Sequence, residues 1–130
     1  MSHYTFMRSN ILGLLDASKP LVTISNAIAS DTPKIASTAC STAMLEHYTK
    51  GIKVFARYQA LIKEQLVNIE RIRYALSVAN NAGQLTDAQA CELDHYLATD
   101  VKVLKECLVV VTEASDKLMM ALPANSTFLA

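Results

Sequence analysis

An apolar stripe at helical spacing runs from Ile35 to Leu122 and is interrupted only by the polar stretch Asn80-Asn81-Ala82-Gly83-Gln84. Apolar residues recurring on one face of a 3.6-residue period over two such lengths, joined by a short turn, predict a long antiparallel helical hairpin. Placing Tyr48, Phe55, Ile62, Ile69 and Leu76 at heptad position a puts Met44, Gly51, Tyr58, Gln65, Ile72 and Ala79 at d. In the second segment Leu97, Leu104, Val111 and Leu118 take position a. Folding back around Gly83 sets Ile69 near Leu97, Ile62 near Leu104, Phe55 near Val111 and Tyr48 near Leu118, so the two stripes stay in register.

The ends of these helices carry their own signals. Asp31-Thr32-Pro33-Lys34 suits a helix start, with Asp31 or Thr32 as N-cap and Pro33 at the first helical position, where its missing N–H costs nothing. This helix is expected to reach Asn80, with Gly51 as its weak point and the place for a bend. Thr86-Asp87-Ala88-Gln89 fits a capping box, Leu85 is placed to staple onto Ala90, and Pro123 closes the second helix near Leu122. At 1.5 Å per residue the two helices would be about 69 Å and 54 Å long.

The first thirty residues differ. Tyr4 to Ala17 predicts a short amphipathic helix that Ser18-Lys19-Pro20 ends, because proline disfavours helix in the residue before it. Leu21 to Ala29 is expected to be a short helix or an ordered arm. The fold class is therefore all-α: a single domain over residues 1–130, with a short N-terminal helical segment in 1–30, the long hairpin in 31–122 and a tail in 123–130.

The stripe is wider than a two-stranded seam. Leu45, Ile52 and Leu66 occupy e and Val54 and Leu61 occupy g, while Val101 and Leu108 flank the second helix at e and Tyr96, Val103 and Val110 at g. Each helix thus expects two neighbours, as in a bundle. N-terminal helices of about fourteen and nine residues cannot line a face of about 50 Å. The remaining face is expected to meet a second copy of the chain, as a homo-oligomer such as a dimer, or a helical protein partner. On that reading the interaction face comprises Leu45, Ile52, Phe55, Leu61 and Leu66 on the first long helix and Leu97, Asp100, Val101 and Leu108 on the second. Met119 and Met120, with Val109, lie outside the stripe and extend it as a contact surface. The alternative is a first helix that bends at Gly51 and packs on itself to give a compact monomer.

Charge excludes some partners. Twelve basic and twelve acidic residues cancel, which leaves no net positive field for nucleic acid or an anionic membrane. The charges are nonetheless segregated. Pro33 to Asn80 holds seven basic residues and three acidic ones, and Thr86 to Leu122 holds three basic and seven acidic, balances of +4 and −4. Most fall away from the seam, either as solvated faces or as strips that orient association. Cys40, Cys91 and Cys107 have no CxxC spacing, and reduced thiols are expected. Neither a secretory signal nor a transmembrane stretch is evident, so the expected location is cytoplasmic, with export by a signal-independent route as the alternative.

Candidate chemistry is sparse. Glu92-Leu93-Asp94-His95 has the Glu-x-x-His spacing of di-iron bundles, but there is no second copy and His95 falls on the outer face. Cys91, near a helix start, is the most reactive thiol by position, whereas Cys107 sits in the seam as a small hydrophobe. With no phosphate loop, metal-ligand spacing or nucleophile motif, no catalytic residue, cofactor or metal is expected and the chain is not expected to be an enzyme. Asp100 is the odd residue, a carboxylate at d between Leu97 and Leu104, explained by a local shift of the helix face or by a register-setting polar contact at an interface. Tyr48, Tyr58, Tyr74 and Tyr96 with Phe55 suit either plain core or a pocket between helices. The expected function is that of a non-enzymatic interaction or assembly protein, an adaptor, chaperone or structural component of a machine such as a secretion or conjugation apparatus. The alternative is a small helical bundle that binds an apolar ligand.

Overall fold

The computed structural model describes residues 2–36 and 42–121, with side chains described for 2–30 and 49–120. Within them the chain is all-α, with α1 over His3–Ala36, α2 over Thr42–Asn81 and α3 over Asp87–Ala121.

Helices α2 and α3 form the hairpin that the apolar period predicts. Its turn closes α2 in a Schellman arrangement: Gly83 takes φ +75°, the Gln84 N–H donates to the Ala79 carbonyl at 2.9 Å and the Gly83 N–H to that of Asn80 at 3.1 Å. A residue with a Cβ would be strained at that φ. The capping box then starts α3. The Thr86 N–H donates to Gln89 Oε1 at 3.0 Å and the Gln89 N–H to Thr86 Oγ1 at 3.1 Å, while Leu85 and Ala90 are both buried. Phe55, Ile62, Ile69 and Leu76 from α2 and Leu93, Leu97, Leu104, Val111 and Leu118 from α3 form the core. Near the far end of the hairpin, a Cβ added at Gly51 would sit 3.1 Å from Leu118 Cδ1. Gly51 thus allows close approach of α3, and α2 runs through it as one helix rather than folding on itself.

The N-terminal segment departs from expectation. It is one helix of 34 residues, about 51 Å long at helical rise, and it continues through both Pro20 and Pro33. Ser2 caps α1, its Oγ accepting from the Thr5 N–H at 3.1 Å, and Asp31, Thr32 and Pro33, expected to open the first long helix of the hairpin, lie inside α1 instead. The reason is the face that Pro20 occupies. Asp16 and Pro20 are both exposed, so the carbonyl that loses its i→i+4 donor is on the water side, where solvent can satisfy it. The opposite face buries Ile11, Ser18, Ser25 and Ile28 and packs Leu14, Leu21, Val22 and Ile24 against the core, and that burial holds the helix together across the proline.

Four cross-helix contacts fix the directions. Tyr4 reaches Glu92 and Ser18 reaches Asp100, so α1 runs parallel to α3; on α2 Gln59 reaches Thr112 and the later Arg73 the earlier Asp94 of α3, so those two are antiparallel. The result is an up-down-up three-helix bundle. Helix α3 is its centre, packed as extensively on α1 as on α2, while α1 and α2 touch each other much less. The wide apolar face of the hairpin is thereby covered from within the chain, which removes the length argument for a partner on that face. Tyr48 and Leu45 have side chains outside the described residues, and the tail beyond 121 lies outside them as well.

Candidate functional site: a groove over a buried polar layer

At mid-height a polar layer joins all three helices. The Ser18 hydroxyl of α1 donates to Asp100 Oδ2 of α3 at 2.6 Å, and Gln65 Nε2 of α2 donates to Ser18 Oγ at 2.9 Å and to the Leu14 carbonyl at 2.7 Å. Ser18 and Gln65 are buried and Asp100 is half-buried. Burial raises the Asp100 carboxyl above its ordinary value of 3.8, and the Ser18 hydrogen bond opposes that shift only in part. The carboxylate flagged by its place at d therefore finds a hydrogen-bond partner inside the chain, in Ser18 of α1. Among the described residues, every buried side-chain N or O has a hydrogen-bond partner.

Above this layer, on the side away from α2, a groove of about 670 Å³ runs between α1 and α3. Leu15, Val22, Tyr96 and Val103 form its walls, Ser18 and Asp100 its floor, and Lys19, Thr23, His95 and Thr99 its edges. Lys19 Nζ lies 2.8 Å from Asp16 on the exposed surface. Tyr96 of the groove wall is tied to Glu92, whose two oxygens accept from Tyr4 Oη at 2.9 Å and Tyr96 Oη at 3.2 Å. The Glu92 hydrogen bond holds the Tyr4 hydroxyl protonated above its ordinary 10.0.

The expected interaction residues divide into three groups. Phe55, Leu97 and Val101 are buried in the core, and Ile52, Leu66 and Leu108 are half-buried against it. Leu61, Met119 and Met120 are exposed, as is Val109. Asp100 belongs to the polar layer. The exposed apolar surface that the heptad scheme missed is the outer side of α2, where Val67, Tyr74 and Val78 stand 49%, 74% and 49% exposed. Their spacing of seven and four was a readable signal, hidden by assigning the buried face first.

Remaining candidates are placed singly. His95 is exposed beside the groove, and Glu92 is occupied by two tyrosines rather than turned inward. Among the described residues no three His, Cys, Asp or Glu side chains gather as a metal ion would need. Cys91 is exposed in a hollow at the hairpin end with Arg73, Asp87 and Asp94, and Cys107 is buried. Of the segregated charges, Arg73 and Asp94 join the two long helices, Nε to Oδ1 at 2.8 Å and Nη2 to Oδ2 at 3.3 Å. Among the described residues no helix is long and apolar enough to cross a membrane.

No family model, curated protein sequence or solved structure matches the chain.

Proposed function

We propose that this protein is a non-enzymatic helical interaction protein that pairs with a second copy of itself through the outer face of α2. The observation that carries this reading is the apolar stripe of Val67, Tyr74 and Val78 on the side of α2 turned from the core. A shallow hollow there is lined by Leu66, Val67, Glu70, Arg71 and Tyr74. The pattern is self-complementary. An antiparallel two-fold pairing centred between Glu70 and Arg71 sets Val67 against the partner's Tyr74 and Glu70 against the partner's Arg71, as an isologous interface requires. Such a module suits an adaptor or an assembly component whose role is to bring chains together.

Light scattering across a concentration series is the test. Val67→Glu with Tyr74→Glu should weaken self-association at least about tenfold, the scale of 1.4 kcal/mol, and leave helix content unchanged. Arg71→Glu alone should also weaken it, and adding Glu70→Arg should restore it by exchanging the two charges. A wild-type protein that stays monomeric at high concentration overturns the reading.

A further inference from the structure

We propose that the groove between α1 and α3 binds a small cationic amphiphile, a protonated amine carried on a medium-length hydrocarbon chain. The walls set the apolar part. Leu15 and Val22 from α1 face Tyr96 and Val103 from α3 over about two helical turns, roughly 12 Å at helical rise. The groove's 670 Å³ lies within the range of small-molecule sites, about 300 to 1,000 Å³. A docked helix would need an interface of at least about 1,200 Å² in total, more than a hollow two turns long supplies.

The floor sets the charged part. Asp100 is a half-buried carboxylate with one hydrogen bond, from Ser18 to Oδ2, and it forms no ion pair among the described residues. Oδ1 is not among the buried atoms lacking a partner, which leaves it open to the groove that Asp100 lines. A carboxylate withdrawn from water and short of donors is stabilised by a cation that brings its own N–H groups. Lys19 at the edge does not fill that role, because its ammonium is held by Asp16 at the exposed surface. Burial of the carboxylate, expressed in its raised proton affinity, points the same way. Binding would place the ammonium on Oδ1 and the alkyl chain along Val22 and Val103, and the Ser18–Gln65 contacts would remain.

Calorimetric titration of the full-length protein with decylammonium chloride, decanol and sodium decanoate, below micelle formation, tests this directly. The amine should bind one per chain and at least about tenfold tighter than the alcohol, the scale expected of a hydrogen bond to a charged group. Decanoate should bind more weakly than either. Amide chemical shifts should move at residues 15–23 and 95–103. Asp100→Asn, which can still accept from Ser18, should abolish the preference of amine over alcohol. Should that variant fail to fold, Val22→Lys places a competing cation on a partly exposed wall and should cut amine affinity at least about tenfold. Decanoate binding as tightly as the amine, an amine preference that survives the substitution that folds, or shifts confined to α2 would overturn the proposal. The groove shares no residue with the outer face of α2, so either site can fail alone.

Discussion

Asp100 concentrates what single residues contribute here. Its carboxyl is raised by burial, so the folded chain holds a proton at pH values where the unfolded chain, near 3.8, has already released it. The sign follows from linkage. Where the folded state binds more protons, unfolding free energy falls as pH rises, so this group's contribution is fully present below 3.8 and is lost through the window up to the raised folded value. Most surface carboxylates paired in the folded state act in the opposite sense. Asp100→Asn removes the titration and keeps the acceptor for Ser18. Its stability relative to the wild type should therefore improve as pH rises through that window, measured by urea unfolding at several pH values from 3.5 to about 6. A relative stability of the variant that stays constant, or that worsens with rising pH, would show that the carboxyl is not shifted upward. Asp100 was visible in the sequence as a charge in a seam. Its partners were not, because Ser18 stood at an expected helix end and Gln65 reads as an ordinary lapse in an apolar pattern until a third helix is placed beside it.

At the scale of elements, the hairpin was legible and the first helix was not. The hairpin announces itself through long apolar periodicity, a glycine at the one φ that needs it and a reciprocal cap at Thr86 and Gln89, all local signals. Helix α1 carries an equally regular heptad, Tyr4, Ile11, Ser18 and Ser25 alternating with Met7, Leu14, Leu21 and Ile28. Two of its four a positions are serine, which breaks the apolar stripe exactly where Pro20 supplies a stop signal. Ser25 resolves its own burial by donating to the Leu21 carbonyl at 2.8 Å. Proline is tolerated because tertiary packing outweighs a local preference, not because the preference vanishes. Pro20→Ala should then restore the N–H donor to the Asp16 carbonyl and raise stability by about 1 to 3 kcal/mol, seen as a higher denaturation midpoint with unchanged slope. A lower midpoint would mean that α1 needs its proline to follow the surface of α3.

The whole molecule differs from a hairpin with an arm in how its parts depend on one another. Each face of α3 is covered by a different helix, α1 on one side and α2 on the other, and the Ser18, Gln65 and Asp100 layer links all three. Ile11 is fully buried, as are Ile62 and Leu104, so α1 contributes to the same core as the hairpin rather than resting upon it. Removing a large side chain from any of the three helices should therefore lower one common transition. Ile11→Ala, Phe55→Ala and Leu104→Ala are each expected to cost about 2 to 5 kcal/mol, the range for emptying a filled core site. Far-ultraviolet circular dichroism and tyrosine fluorescence should report coincident unfolding curves for the wild type and all three variants. An α1 that merely leaned on a self-sufficient hairpin would behave otherwise. Ile11→Ala would then leave the main transition in place and produce an earlier, separate loss of α1 helix, and the hairpin would expose its apolar face and bind an apolar dye before it unfolded. A single shifted transition for Ile11→Ala thus decides whether the first helix belongs to the bundle, and with it whether the hairpin face is available to anything but its own chain.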